Sequence, residues 1–514
     1  MKRIMRLYES CSTGIRVACF GFVLISLGFL IQNESVNIFY TIRNSFILFI
    51  GEFSLRTGEL IILNLPLIFM VNMVCKKANS GMPIMLALVG YFSFIVTTMM
   101  FSPQSIEGAA YLGGTSINSI FKDLPLNKLP IETGFIGSIL VAFATRFSFT
   151  QSRHRSSYSI LNLFDKDTAA LLTNIFICFV LGLLASYIFP IFYSYLGILT
   201  KYIAQNLMDP IRIGLYGFLE RSLSIIGLGD AISTPFWYTS IGGSFTSAIT
   251  GETVFGDVNI WNYLGELNAS YAGAGRFITP YYIINIFLVP GILAGMLISM
   301  SDNKERLKSL VPIVGLSILS IVAGNPLPLE LYLLLTAPLL LVTYLLIVAL
   351  IFGLLSYLNL FLGFSCHSVS TITAMPGSFP DFIINIRNAV YGKTIMNVAL
   401  LGIVFFVVGI IITYLYYHYF SYDLFATGNK EKLAKQIAIA VGGEENVSSV
   451  GTGNLHLNIY LNDLEKISYD ELRSLGASHI LETRDSISIE FGSISEVLAI
   501  ALRNRVKKKT AIKS

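Results

Sequence analysis

Residues 323–357 read AGNPLPLELYLLLTAPLLLVTYLLIVALIFGLLSY. From Leu329 to Tyr357 the stretch holds no Lys, Arg or Asp and a single acid, Glu330. An apolar run longer than the roughly 20 residues that cross a bilayer predicts a membrane span over 329–357. Its head, Gly324-Asn325-Pro326-Leu327-Pro328, is too rich in Gly and Pro for a plain helix. In lipid such broken backbone persists only where protein buries it or where it lines a wet cavity, so the head of this span marks a substrate pathway. An ionisable residue at mid-bilayer costs roughly 2.5–3.5 kcal/mol on insertion scales, which makes Glu330 a functional candidate.

The rest of the chain repeats the theme. Its 514 residues are 54% hydrophobic and 13% charged, with a mean hydropathy of +0.69. These values describe an integral membrane protein. Further spans are predicted at 15–32, 58–75, 82–102, 133–149, 168–197, 277–300, 310–324 and 394–420, with half-apolar pieces near 36–50 and 202–250. The expected fold is a polytopic α-helical membrane protein of about 10 transmembrane helices with re-entrant segments. A second Gly-rich break, GELNASYAGAGRFITP, occupies 265–280. Basic residues gather at the N-terminus, at Lys76-Lys77, between Arg146 and Lys166 and between Lys304 and Lys308. The positive-inside rule places these ends in the cytoplasm. The five cysteines have no paired spacing, the net charge is only +4, and neither a disulfide framework, a metal site, a cofactor nor nucleic-acid binding is indicated.

Composition changes near Gly428: residues 430–514 hold 23 of the 66 charged residues. Leu433, Ile437 and Val441 recur at helical spacing before Gly442-Gly443. Leu455, Leu457, Ile459 and Leu461 alternate with His456, Asn458, Tyr460 and Asn462, the period of a half-buried strand. A second hairpin is predicted at 478–483 and 486–491, with a closing helix at 493–506. The tail therefore reads as a small cytoplasmic α/β sandwich domain.

Five stretches are collinear with landmarks of one family: NLPLIFMVNMVCKKANSGMPIMLALVGYF (64–92), ETGFIGSILVAFATRF (132–147), GLYGFLERSLSIIGLGDAI (214–232), AGAGRFITPYYIINIFLVPGILAGM (272–296) and LPLELYLLLTAPLLLVTYLL (327–346). In this order they resemble the membrane subunit IIC of the glucose, glucosamine and glucoside branch of the bacterial sugar phosphotransferase system (PTS). The tail is similar to its IIB domain. The resemblance implies a IIC-like membrane domain over 1–425, a linker at 426–430, a IIB-like domain over 431–506 and a basic tail at 507–514. It implies a multi-pass permease of the bacterial cytoplasmic (inner) membrane that binds and translocates a hexose or glucoside. Its implied partners are a IIA protein or a separate IIB, membrane lipid and a second copy in a homodimer.

The family's IIB domain passes a phosphoryl group through a cysteine in a motif resembling Asp-x-Cys-x-Thr-Arg-Leu-Arg. Aligned on the strand's alternation, the cysteine's place is taken by Gly453, and His456 and Asn458 stand where the arginines would. Glycine has no side chain to phosphorylate, so the implied phosphotransferase chemistry has no acceptor here. His456 sits on the strand rather than in the turn and reads as a solvent-facing residue. In the IIC pathway loop the motif resembling Gly-Ile-Thr-Glu-Pro-Ile-Glu-Phe appears as Gly324 to Leu331, keeping its second glutamate as Glu330 and replacing the first by Leu327. In Glu220 to Asp230 the family's arginine is kept as Arg221, while its two histidines have become Gly229 and Asp230. The resemblance makes Glu330, Arg221 and Asn325 the substrate-binding candidates. The alternative reading is a degenerate relative that binds sugar without modifying it, as a facilitator, sensor or regulator.

Overall fold

The computed structural model describes residues 2–32, 44–75, 81–101, 130–153, 166–247, 251–266, 273–299, 303–364, 376–386, 392–419, 427–452 and most positions from 456 to 506. Gly453, the Lys76-Lys77 loop and the 507–514 tail lie outside the described residues. The chain folds as two compact units, one of residues 7–414 and one of residues 415–514 with residues 1–6. The packing boundary falls inside the last long helix, while the composition step at Gly428 comes after it, because that helix is apolar almost to its end.

The larger unit is helical. It runs through α1 (Lys2–Gln32), α2 (Ser45–Leu63), α3 (Leu65–Cys75), α4 (Met82–Phe101), α5 (Gly134–Arg153), α6 (Lys166–Ala204), α7 (Pro210–Ile225) and α8 (Asp230–Tyr238). A short hairpin of β1 (Ser244–Thr246) and β2 (Thr253–Phe255) leads into α9 (Asp257–Glu266). Then follow α10 (Thr279–Ser299), α11 (Asn303–Ala323), α12 (Leu327–Thr336), α13 (Pro338–Tyr357), α14 (Phe379–Ile386) and α15 (Gly392–Tyr419). Among the described residues six helices are long and apolar enough to cross a membrane, or seven if α2 and α3 form one span.

Two of the predicted spans are each divided between two helices. The 58–75 span straddles a bend of 64° between α2 and α3. Asn64 sits at the bend and donates its side-chain amide to the Leu60 carbonyl at 2.8 Å. Pro66 follows, and a proline has no N–H with which to continue the ladder. The 329–357 span is likewise two helices, α12 and α13, parted at Ala337 with φ −140 and ψ 64. The residue before a proline is pushed out of the helical region by the ring, and Pro338 does this here. Hydropathy does not register either break.

The smaller unit carries α16 (Thr427–Ala440), β3 (Val447–Thr452), β4 (His456–Leu461), α17 (Tyr469–Leu475), β5 (Ile480–Thr483) and β6 (Ser486–Glu490). Its strands form one antiparallel sheet in the order β3-β4-β6-β5. Leu457 faces Ile489 and Ile459 faces Ile487 across β4 and β6, and all four are fully buried. They pack with Ala434, Ile437 and Val441 of the first helix and with Leu498 and Leu502, so helices cover one face of the sheet. The tail is a small α/β sandwich, and its strand alternation, buried at Leu457, Ile459 and Leu461, follows the sequence pattern.

Candidate functional site

The site is built on α7, α12 and α13. Asp209 starts α7 by accepting the Ile211 N–H at 3.0 Å, with Pro210 in the first helical position. The helix then lies unusually close to α13. A Cβ on Gly217 would stand 2.3 Å from the Phe352 ring, and one on Gly214 2.9 Å from the Ala349 carbonyl. Small residues at these points let two helices approach to backbone contact. That approach delivers Arg221, near the end of α7, to the first turn of α12 and to Tyr344 on α13.

Arg221 Nε donates to Glu330 Oε1 at 3.0 Å and Nη2 to Oε2 at 2.7 Å. Tyr344 adds its hydroxyl to Oε1 at 2.8 Å. Glu330 is 0% exposed and Arg221 6%. This is the two-point guanidinium–carboxylate geometry that lysine cannot reproduce. Beside it on α7, Glu220 accepts from Ser224 Oγ at 2.8 Å, and its Oε1 lies 3.6 Å from Arg221 Nη1.

In front of this cluster opens a cavity of about 400 Å³, within the roughly 300–1,000 Å³ typical of small-molecule sites. Its wall carries Glu132, Glu220, Arg221, Ser224, Asp230 and Asn325, with the rings of Trp237, Tyr238 and Tyr281. Acceptors, donors and flat apolar faces therefore alternate around one space. A larger concavity between α7 and α13, about 640 Å³, is walled by Leu, Ile, Phe, Pro, Ala and Gly residues with Tyr357 at its end and has almost no polar surface. It has no array of groups to recognise hydroxyls.

The 323–338 break builds one wall of the polar cavity. Gly324 takes a positive φ of 64°, and Asn325 accepts the Leu327 N–H at 2.9 Å to start α12. Asn285, within a widened π turn at Ile284–Leu288, donates to the carbonyls of Gly324 at 2.8 Å and Gly377 at 3.3 Å. Ser320 donates to the Asn285 carbonyl at 2.9 Å. The described part of the other break, 273–280, is buried in protein, where Asp257 accepts the Gly275 N–H at 2.9 Å and Arg276 donates to Leu207 O and Gly273 O.

Residues 15–349 match the family model described as phosphotransferase system, EIIC. The chain belongs to the PTS EIIC family. It is an integral membrane protein. It is 24% identical to a PTS system glucose-specific EIICBA component of Staphylococcus saprophyticus over 92% of this chain and 68% of that protein. It is 23% identical to a PTS system glucosamine-specific EIICBA component of Bacillus subtilis over 86% of this chain and 66% of that protein. The chain thus spans about two thirds of the length of these relatives. Among solved structures it is similar to the transporter ChbC, the IIC component of the N,N'-diacetylchitobiose-specific phosphotransferase system, at 13% identity and a TM-score of 0.29, covering 80% of this chain and 93% of that one.

Within this EIIC chain the three sequence-derived candidates separate. Arg221 and Asn325 line the cavity, and Glu330 does not. Its oxygens are occupied by Arg221 and Tyr344, one layer behind the wall. Gly229 and Asp230, which stand where the family has histidines, are both on the wall. Sequence reasoning passes over Glu220, Glu132, Trp237 and Tyr281. Glu220 alone has a signal, being a carboxylate directly before the retained arginine in a membrane segment.

Proposed function

We propose that this EIIC chain is a sugar permease whose polar cavity holds a hexose or glucoside during translocation. The observation that carries the reading is the cavity itself: carboxylates, an amide and a guanidinium interleaved with Trp237, Tyr238 and Tyr281, inside the family-matched helices. Pyranose rings offer hydroxyls that both donate and accept, and C–H faces that pack on aromatic rings. Arg221 and Asn325 contact the sugar directly, and Glu330 is a positioning residue that fixes the guanidinium. The glucose- and glucosamine-specific relatives support a monosaccharide of that class.

In the relatives' system the sugar is handed on with IIA and IIB components. Here the tail is the IIB-like part, residues 431–506, and it lacks an acceptor thiol because Gly453 occupies the cysteine's place. Phosphorylation of a bound sugar would require a separate IIB. A homodimer is the working assembly. The test is thermal unfolding of the purified full chain against glucose, glucosamine and a methyl glucoside, with Arg221→Ala alongside. Stabilisation by one of them that Arg221→Ala abolishes supports the reading, and no stabilisation by any of the three overturns it.

A further inference from the structure

Arg221, Glu330 and Glu220 form one buried cluster of two carboxylates and one guanidinium. The Arg221–Glu330 pair is charge-neutral, and Glu330 accepts three hydrogen bonds, two from Arg221 and one from Tyr344. Glu220 meets the same guanidinium only at 3.6 Å. It lines the cavity, is 4% exposed, and its Oε2 makes no hydrogen bond. The Tyr281 hydroxyl neighbours Glu220 and lines the same cavity. With all three groups ionised the cluster carries one net negative charge away from water.

Among the described residues the cavity wall holds no basic side chain besides Arg221. The groups around Glu220 are Arg221 on its own helix, Glu330 on α12, Tyr281 on α10, and Glu132 and Asp230 on the cavity wall. The wall acids add negative charge, and both are more exposed to solvent than Glu220. An enclosed carboxylate with one oxygen free of hydrogen bonds has a place for a proton. Protonation also changes what the cavity offers. A carboxylate only accepts hydrogen bonds, whereas the acid presents an O–H that a sugar hydroxyl can receive. Proton binding and sugar binding are then linked, and linkage is reciprocal.

We propose that Glu220 carries one proton inward with each sugar, making the chain a proton–sugar symporter; this rests on the permease reading above. One proton from the outer solution binds Glu220 Oε2 and converts the carboxylate to the acid. The acid donates to the sugar in the loaded cavity. When the cavity opens inward the sugar leaves, the proton passes to cytoplasmic water and the carboxylate is restored. With no thiol at position 453 to trap sugar as its phosphate, a proton gradient supplies the driving force for accumulation.

The experiment uses the full chain reconstituted in vesicles that enclose a pH-sensitive dye, with the membrane potential clamped at zero. Counterflow of labelled glucose, glucosamine and a methyl glucoside first reports permeation. With a sugar that permeates, its addition is expected to acidify the lumen at about one proton per sugar. An inward gradient of one pH unit is expected to drive about tenfold accumulation. In Glu220→Gln the proton-to-sugar ratio falls to zero, and in Glu220→Asp it stays near one. Counterflow without acidification or accumulation in the native chain overturns symport and leaves the permease reading standing. A proton-to-sugar ratio unchanged in Glu220→Gln overturns the assignment to Glu220. Absence of counterflow with all three sugars overturns the permease reading and this inference together.

Discussion

Arg221 and Glu330 stand 109 residues apart in the chain and meet in a two-point ion pair, Nη2 to Oε2 at 2.7 Å and Nε to Oε1 at 3.0 Å. The pair ties α7 to α12, and Tyr344 ties both to α13. Removing one partner strands a buried charge. Glu330→Leu or Arg221→Met is expected to cost about 3–5 kcal/mol, and the double variant less than the sum of the two. Denaturation of the detergent-solubilised chain gives both numbers. Additive losses would show that the two side chains do not depend on each other.

Gly217 separates packing from propensity. A methyl there meets the Phe352 ring at 2.3 Å, so Gly217→Ala is expected to destabilise by about 1–3 kcal/mol. A methyl added at Gly197, in the long helix α6, would meet nothing within 4 Å, and Gly197→Ala is expected to be neutral or to stabilise by up to about 1 kcal/mol. Thermal unfolding of the two variants side by side checks the contrast, and equal behaviour would contradict the close approach of α7 and α13.

In the tail, Ile459 is fully buried at the centre of β4 and Tyr460 is 45% exposed. Ile459→Ala is expected to lose about 2–5 kcal/mol of the tail's stability, and Tyr460→Ala under about 1 kcal/mol. Hydrogen exchange over residues 447–490 of the intact protein reads the difference. Equal protection in the two variants would show that the sheet does not bury this face.

Incubation of the full chain with phosphorylated IIA protein is expected to leave residues 430–514 without phosphate, since Gly453 offers no nucleophile. Mass spectrometry of the tail peptides checks this. A phosphohistidine at His456 that passes to sugar would reverse the conclusion.

The readable parts of this protein are those written in local pattern. Leu457, Ile459 and Leu461 declare a strand by alternation alone, and the apolar spans declare the membrane. Arg221 is marked by its motif and does reach the cavity wall. The rest depends on which distant residues meet. Glu330 stands out as an acid in an apolar run, but its burial behind Arg221 follows from a contact across 109 residues. Glu220 carries one signal in sequence, an acid directly before the retained arginine, but what sets it apart is seen only in the fold: one of its oxygens makes no hydrogen bond. The break at Ala337 escapes apolar averages because they are blind to Pro338, whose effect is steric.

The widened turn around Asn285 holds the Gly324 and Gly377 loops together using only the protein's own groups. A sugar arriving at the chamber finds its contour already set, so little ordering of the loops opposes capture. That lowers the cost of taking sugar from dilute solution, the step on which a scavenging carrier depends.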